Sequence, residues 1–415
     1  GNTLQTMRIT NLNPDTDIGA SAWCVEMDGR RLLMDAGTHP KREGYDSLPL
    51  YSSIRDAELD AIVITHCHHD HVGSLPVAMR EHPQAHVMMT ELSYFLVERV
   101  LHNSVNVMKR QRDELGIKEY PLFSHREVDE LAPIFQGYKY NREIEWAAVE
   151  DAKALSPTLE FFDAGHALGS SGIMVRGQHE SLFYTGDVCF KDQTILRGAR
   201  FDEVKADVLV METTRGNRAS DPTATRESEI ARLLASIQKI QAGGGCVLIP
   251  SFALGRTQEM LSVLALAMKD GTLEPQQVHI GGLGRVFTEI YDLQAHRVNR
   301  NHSNLELNKA LDIKVIDPRK AEQMKLNNGK LFVMTAGMLS ENTAAHVLAA
   351  RMLAEERHGI FFVGYADPET PGGRLKASSR GENFFYSKSF GDLDHLCTVE
   401  QFDLTAHADR EELLE

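Results

Sequence analysis

Cysteine is scarce in this sequence. Cys24, Cys67, Cys189, Cys246 and Cys397 are scattered, odd in number and include no CxxC pair. That excludes a disulfide framework and a cysteine-type zinc site, and it makes a reducing cytoplasm the expected compartment. No apolar run approaches the roughly 18 residues that would cross a bilayer, so no membrane partner is expected. The first residues lack the basic stretch and apolar core of a secretory signal. Neither GxGxxG nor GxxxxGK[ST] follows a strand, so no nucleotide cofactor is expected. Basic charge is also in deficit, with 44 Lys and Arg against 59 Asp and Glu and a net charge of −15. Such a balance disfavours non-specific coating of nucleic acid. It leaves room for an enzyme that meets a phosphate backbone in one local cleft, where bound metal ions supply the positive charge.

What is present is an ordinary globular composition, 42% hydrophobic and 25% charged over 415 residues, long enough for two or three domains. The chain is organised around Ile64, Thr65, His66, Cys67, His68, His69, Asp70, His71, Val72 and Gly73, directly after the apolar run Ala61, Ile62, Val63. An apolar run of that length reads as a buried strand, so the polar cluster stands where a strand gives way to a loop. Imidazoles and carboxylates together form a ligand set for Zn²⁺ and its neighbours. Cys67 lies inside this stretch, but alternation points it away from His66 and His68, so it reads as a packed thiol.

Along the chain, residues 22–27 and 31–34 read as strands joined by an Asp28-Gly29 hairpin turn. The second strand ends in Asp35-Ala36-Gly37. Later strands end at Gly165-His166, Gly186-Asp187 and Glu212. Strand ends that present loops on one sheet edge are where α/β sites are built. From residue 213 to about 392, strands alternate with glycine loops and helices, which implies a second α/β domain with a mostly parallel sheet. Residues 393–415 return with a further strand carrying Ala406-His407-Ala408-Asp409.

These residues combine into one chemistry. His66 and His68 project to the same side of an extended loop and, with His166, can grip one metal. Asp70 and His71 can reach a second, and the two oxygens of Asp187 can bridge both. Two divalent ions about 3.5–4 Å apart activate a shared hydroxide and neutralise charge on a phosphodiester. The leaving alkoxide still needs a proton donor. His407 is the candidate, with Glu212 as a partner that orients it, and Asp35 is expected to accept a hydrogen bond from a ligand imidazole. Ser251, Arg256 and Arg374 are candidates for binding phosphate oxygens. His39, His69, His346 and His395 read as ordinary surface or core histidines.

The motifs resemble a known family. Thr65-His66-x-His68-x-Asp70-His71, the strand-end Asp35, Gly165-His166-x-Leu168-Gly169-Ser170 and Thr185-Gly186-Asp187 look like the motifs of the metallo-β-lactamase superfamily. Glu212-Thr213-Thr214, Phe252-Ala253-Leu254-Gly255-Arg256, Gly337-Met338, Gly364-Tyr365 and Ala406-His407-x-Asp409 narrow the resemblance to its β-CASP branch, that of RNase J and the pre-mRNA 3′-end cleavage endonuclease.

The resemblance implies an α/β fold, a metallo-β-lactamase αββα sandwich with an inserted β-CASP domain. The first domain would run over residues 1–212, the insert over 213–392, and the return over 393–415, with substrate in the groove between domains. It implies a zinc-dependent ribonuclease acting endonucleolytically or from the 5′ end on an RNA substrate, with two Zn²⁺ per chain or Mn²⁺ in their place. A homo-oligomer stays open. The competing readings are a hydrolase of DNA or of a small ester, thioester or phosphodiester, and an inactive scaffold. The family carries a further ligand His beyond the Ala-His-x-Asp motif. The chain ends at Glu415, eight residues past His407, so the expectation is a sequence truncated before that ligand, the alternative being a weaker second metal site that lacks a protein ligand. Arg215 stands where the family commonly has an aromatic residue.

Overall fold

A computed structural model describes residues 7–14, 19–147, 156–211, 223–297 and 300–407. Contacts divide the chain into two compact units. The first comprises Gly1–Lys191, Gly198–Arg218 and His407–Glu415, and the second Asp192–Arg197 and Ala219–Ala406. Among the described residues no helix is long and apolar enough to cross a membrane.

The first unit is built on two sheets. One holds six strands in sequence order, β1 (Arg8–Asn11), β2 (Trp23–Met27), β3 (Arg30–Met34), β4 (Ala61–Val63), β5 (His86–Thr90) and β6 (Phe135–Tyr138). β2 and β3 form the expected hairpin. Met27 pairs with Arg30, and the two turn residues sit at φ 53° (Asp28) and 74° (Gly29). A two-residue turn with both φ values positive matches the strand twist, and an Asp-Gly pair tolerates it. From β3 to β6 the pairing is parallel.

The other sheet contains β7 (Glu143–Glu145), β8 (Thr158–Asp163), β9 (Ser171–Arg176), β10 (Ser181–Tyr184) and β11 (Val208–Val210), antiparallel except for the β10–β11 pair. One apolar cluster draws on both sheets: Val25, Leu32 and Met34 from the first, and Leu159, Phe161, Ile173 and Leu182 from the second. The sheets therefore bury their alternate side chains against each other, as in a sandwich. Helices α1 (His69–Val72), α2 (Leu75–Glu81), α3 (Glu91–Leu115) and α4 (His125–Leu131) belong to the same unit. α3 is capped by Thr90, whose side chain accepts from Ser93 N, and it stops at Gly116 with φ 70°. Ser124 caps α4 by accepting from Glu127 N.

The second unit carries an all-parallel six-stranded sheet. Its strands are β12 (Val247–Pro250), β13 (Gln277–Ile280), β14 (Asp312–Val315), β15 (Leu331–Met334), β16 (Gly359–Phe362) and β19 (Thr398–Gln401), in the order β14-β13-β15-β12-β16-β19. Every residue of β12, β15 and β16 is buried, as expected for parallel strands covered on both faces. The unit's helices are α5 (Arg226–Ala242), α6 (Arg256–Asp270), α7 (Gly282–Leu293), α8 (Leu307–Ala310), α9 (Pro318–Gln323), α10 (Ala344–Leu353) and α11 (Pro371–Ala377), of which α5, α6 and α10 pack on these three strands. A separate hairpin is formed by β17 (Asn383–Ser387) and β18 (Gly391–Asp394).

Two boundaries differ from the sequence reading. The last strand was expected to return to the first domain, but Thr398 pairs in parallel with Gly359, so β19 stays in the second unit. Residues 192–197 also join the second unit. The Glu259 carboxylate accepts from Thr194 N at 2.6 Å and Ile195 N at 3.2 Å, and Leu196 bridges to Arg300. Strand partners far apart in sequence leave no mark on local apolar alternation, so neither assignment is visible in the chain itself.

Candidate metal centre

The loop after β4 is fixed by backbone hydrogen bonds to the loop after β3 and to Ser21, just before β2. Ala36 N donates to His71 O, Thr38 N to His69 O, Ser21 N to Asp70 O and Ser74 N to Ala36 O, each at 2.9 Å. Gly37 makes this approach possible, since a Cβ there would lie 1.7 Å from Asp70 O. His68 is extended at the N-cap of the short α1. The chain thus passes from strand to helical turn within residues 66–71, and this turn splays the side chains around one point.

Among the described residues, three overlapping trios place their ligand atoms within 4.8 Å of one another: His66, His68 and His166; His66, His71 and Asp187; and His166, Asp187 and His407. Asp187 is central. Its Oδ1 lies 3.3 Å from His71 Nε2, while its Oδ2 lies 3.6 Å from both His66 Nε2 and His166 Nε2. His166 Nε2 lies 3.3 Å from His68 Nδ1. The His407 ring sits 4.6 Å from that of His166, centroid to centroid. Asp70 stands one step out, with Oδ2 3.4 Å from His71 Nε2.

The arrangement fits metal ions on three counts. His66 Nε2 is buried and has no hydrogen-bond partner, which is costly for a polar atom unless something else satisfies it. The N···O spacings of 3.3–3.6 Å exceed the roughly 2.7–2.9 Å of charge-assisted hydrogen bonds. They approach instead the edge of about 3.4 Å that separates two ligands of one tetrahedral ion with bonds near 2.1 Å. The donors are imidazole and carboxylate, the set that zinc takes.

Protonation favours the same use. Burial, then the charge of His71, hold His66 well below the usual imidazole range, so it keeps a free lone pair. Burial opposes charge on His71, but Asp187, Asp70 and Asp35 together raise it well above that range. Burial likewise opposes charge on Asp187, yet His71 holds its carboxyl well below the usual value. Positive charge at this point is what the carboxylates are arranged to receive.

Asp35 is wholly buried. Its Oδ2 takes His71 Nδ1 at 2.6 Å, Thr65 Oγ1 at 2.8 Å and the Tyr184 hydroxyl at 3.1 Å. Its Oδ1 accepts from Thr65 N at 2.8 Å. A carboxylate that fixes the far nitrogen of a ligand imidazole sets its tautomer and ring orientation. Asp35 does this from φ 66°, a left-handed conformation that Asp tolerates better than most residues. Sequence reasoning missed Thr65 as a bridging side chain and Tyr184 altogether. Tyr184 looked like one apolar strand residue among four. Its only sequence signal was a hydroxyl three residues before Asp187, on the strand face that turns inward.

The remaining candidates divide. Glu212 lies outside the described residues, as do Arg215 and Asp409. Ser251, Arg256 and Arg374 belong to the second unit, where their polar groups already have partners. Arg256 is buried and donates to Leu404 O at 2.7 Å and to Gln193 Oε1. Arg374 donates to Tyr386 O at 3.0 Å and lies over the Phe385 ring at 5.0 Å. The Ser251 hydroxyl is buried, 3.4 Å from Ile249 O. Arg256 and Arg374 thus tie segments of their own unit together. Cys67 is fully buried, and burial pushes its thiol up to about 12, as befits a packed residue. His69 Nδ1 pairs with Ser104 Oγ at 2.8 Å, and His39 Nδ1 accepts from Lys41 N at 3.1 Å.

A family profile described as the metallo-beta-lactamase superfamily matches residues 15–235, more than half of the chain. The chain belongs to the metallo-β-lactamase superfamily. A Beta-Casp domain profile matches residues 257–375, which places this metallo-β-lactamase protein in the β-CASP branch. Among curated relatives, the cleavage and polyadenylation specificity factor subunit 3 of Dictyostelium discoideum is 26% identical over 370 residues, covering 87% of this chain and 45% of that protein. Endoribonuclease YSH1 of Saccharomyces cerevisiae is 25% identical over 423 residues, covering 99% and 52%. The probable RNase MJ4 of Methanocaldococcus jannaschii is 27% identical over 408 residues, covering 96% and 87%. The chain thus spans about half the length of the first two. A crystal structure of a protein of unknown function from Enterococcus faecalis V583 matches with a TM-score of 0.53 at 14% identity, covering 98% of this chain and 89% of that one. It speaks for the fold alone. The metallo-β-lactamase profile accounts for a centre able to bind metal.

Proposed function

We propose that this protein is a zinc-dependent ribonuclease that hydrolyses RNA phosphodiester bonds with two divalent ions. The observation that carries the reading is the six-residue centre of His66, His68, His71, His166, Asp187 and His407, with an orphaned imidazole nitrogen at its heart. The naming of relatives as endoribonucleases supports it. His66, His68 and His166 would hold one ion. His71, with Asp70 beside it, would hold the other, and Asp187 faces both sets through different oxygens. When bound, the ions supply Lewis acidity toward a phosphoryl oxygen and acidify a water.

The chain's own residues do the rest. Asp35 and Thr65 orient His71, and Thr65 Oγ1 also meets His66 Nδ1 at 3.1 Å, so the ligand rings are set before substrate arrives. His407 is half-buried beside His166 and Asp187. An imidazole there can deliver a proton to the departing sugar oxygen. The expected compartment is the cytoplasm.

The test is end-labelled RNA bearing a 5′-phosphate, 5′-triphosphate or 5′-hydroxyl, incubated with metal-loaded protein and with His68→Ala. Cleavage by the wild type that the substitution abolishes is expected, and product lengths separate internal from 5′-end attack. Intact RNA alongside hydrolysis of a small ester would overturn the reading.

A further inference from the structure

The buried residues of α3 are apolar except for Ser93 and Ser104. These two lie about three turns apart, hence on one face and about 16.5 Å from each other along the axis. A buried hydroxyl is costly unless it is paired, and alanine would suit a helix better. Both hydroxyls reach out of the helix to the loops that carry the metal-ligand candidates. Ser104 Oγ shares a hydrogen bond with His69 Nδ1 at 2.8 Å. Ser93 Oγ donates to Gly169 O at 3.0 Å, and Thr90 Oγ1 donates to the same oxygen at 2.7 Å. His69 stands between His68 and Asp70, and Gly169 follows closely on His166.

The His166 loop lies hard against the helix. Gly169 has φ 78°, and a Cβ there would stand 2.5 Å from Ser93 N. Ser170 Oγ accepts from His166 N and from Ala167 N, each at 3.1 Å, so the turn is stiff from the helix contact back to His166. At their bases the two loops are tied directly. Ser171 N and Ser171 Oγ donate to Thr65 O at 2.8 Å and 3.0 Å. One tie at the base leaves the outer parts able to splay about it. Two grips on a single helix remove that motion and hold His166 Nε2 at 3.3 Å from His68 Nδ1.

We propose that α3 braces the metal centre, with Ser104 at one end and Thr90 with Ser93 at the other as positioning residues that set the separation of His68 from His166. The brace presupposes that the centre binds metal and asks nothing of the substrate. The rise of a helix is fixed by its backbone hydrogen bonds, so the distance between the two grips cannot drift while the helix stands. Ligands held at their working spacing leave less ordering to be done when the ion binds, which raises affinity.

The test is a double-mutant cycle on metal affinity. Wild type, Ser104→Ala, Thr90→Val with Ser93→Ala, and the combination compete for Zn²⁺ with a coloured chelator. Loss of either end is expected to weaken binding about fivefold, the contribution of one net hydrogen bond. Either loss already lets the loops splay, so the combination should be no weaker than the weaker of the two. Independent contacts this far apart would instead multiply their losses. Val100→Ala thins the packing of the same helix and touches neither grip. It should lower the urea midpoint in excess chelator and keep Zn²⁺ affinity within twofold. The visible spectrum of Co²⁺-loaded protein should shift in the end variants and not in Val100→Ala. Wild-type affinity in both end variants, multiplied losses in the combination, or an equal loss in Val100→Ala would each overturn the brace. A wild type that takes up no Zn²⁺ would remove the metal reading and the brace together. RNA cleavage is read nowhere in this test, so a failed brace leaves the ribonuclease reading to its own experiment.

Discussion

Replacing Asp35 tests whether the buried carboxylate sets the metal centre from behind. In Asp35→Asn the amide nitrogen must face either Thr65 N or the donors around Oδ2, since the native carboxylate accepts from Thr65 N on one oxygen and meets His71, Thr65 Oγ1 and Tyr184 on the other. The hydroxyls of Thr65 and Tyr184 can rotate to accept, whereas the N–H of His71 Nδ1 cannot. The loss is therefore one charge-assisted hydrogen bond, about 1.5–3 kcal/mol. Loss of an outer-shell partner of a metal ligand lowers metal affinity about tenfold to a hundredfold, or about 1.4–2.8 kcal/mol, which agrees. Asn tolerates φ 66°, so the backbone is spared. Asp35→Ala is not spared. It adds about 1–2 kcal/mol of left-handed strain and leaves the buried Thr65 N–H without its acceptor, about 1–3 kcal/mol more. Competition with a chromophoric chelator measures the first effect, and urea unfolding in excess chelator measures the second. The reasoning fails if Asp35→Asn binds metal within twofold of wild type, or if the two variants unfold at the same urea concentration.

Other outcomes follow from the same geometry. His407→Ala should keep its metal and lose far more activity on RNA than on a phosphodiester with a nitrophenolate leaving group, which departs without a proton; equal losses on both would remove His407 from the donor role. Gly37→Ala drives a Cβ to 1.7 Å from Asp70 O and should destabilise by about 3 kcal/mol or more, with weaker metal binding in a chelator titration; wild-type stability would contradict the packing. In the second unit, His279 packs on Phe332 with an unpartnered Nδ1, and burial lowers it to about 4 from an ordinary 6.5. The folded protein then holds fewer protons than the unfolded chain between those values. Stability should fall as pH drops below about 6.5 and level off below about 4. Urea midpoints across that range should flatten in His279→Leu, and an unchanged slope would place the effect elsewhere.

The ligand set was legible because it is local chemistry. His66, His68 and His71 crowd one strand end, and His166 and Asp187 follow glycines at others, so residue type and strand pattern alone put each of them at a strand end. The parallel sheet of the second unit was legible in the same way, from buried runs such as residues 247–250 and 359–362. The partners of the buried arginine were not. A guanidinium pairs as readily with a carbonyl of its own fold as with substrate, and only the tertiary structure shows that Arg256 is committed to Leu404 and Gln193.

The sequence by itself determined which side chains could carry metal chemistry and that they stand at strand ends, because hydrophobic period and residue type are properties of the chain. The tertiary structure decided what surrounds them. Tyr184 and Thr65 converge on Asp35, and β19 belongs to the parallel sheet of the second unit. Each of these depends on which distant segments pack together, and that is fixed by the burial and register of the whole molecule rather than by any local run of residues.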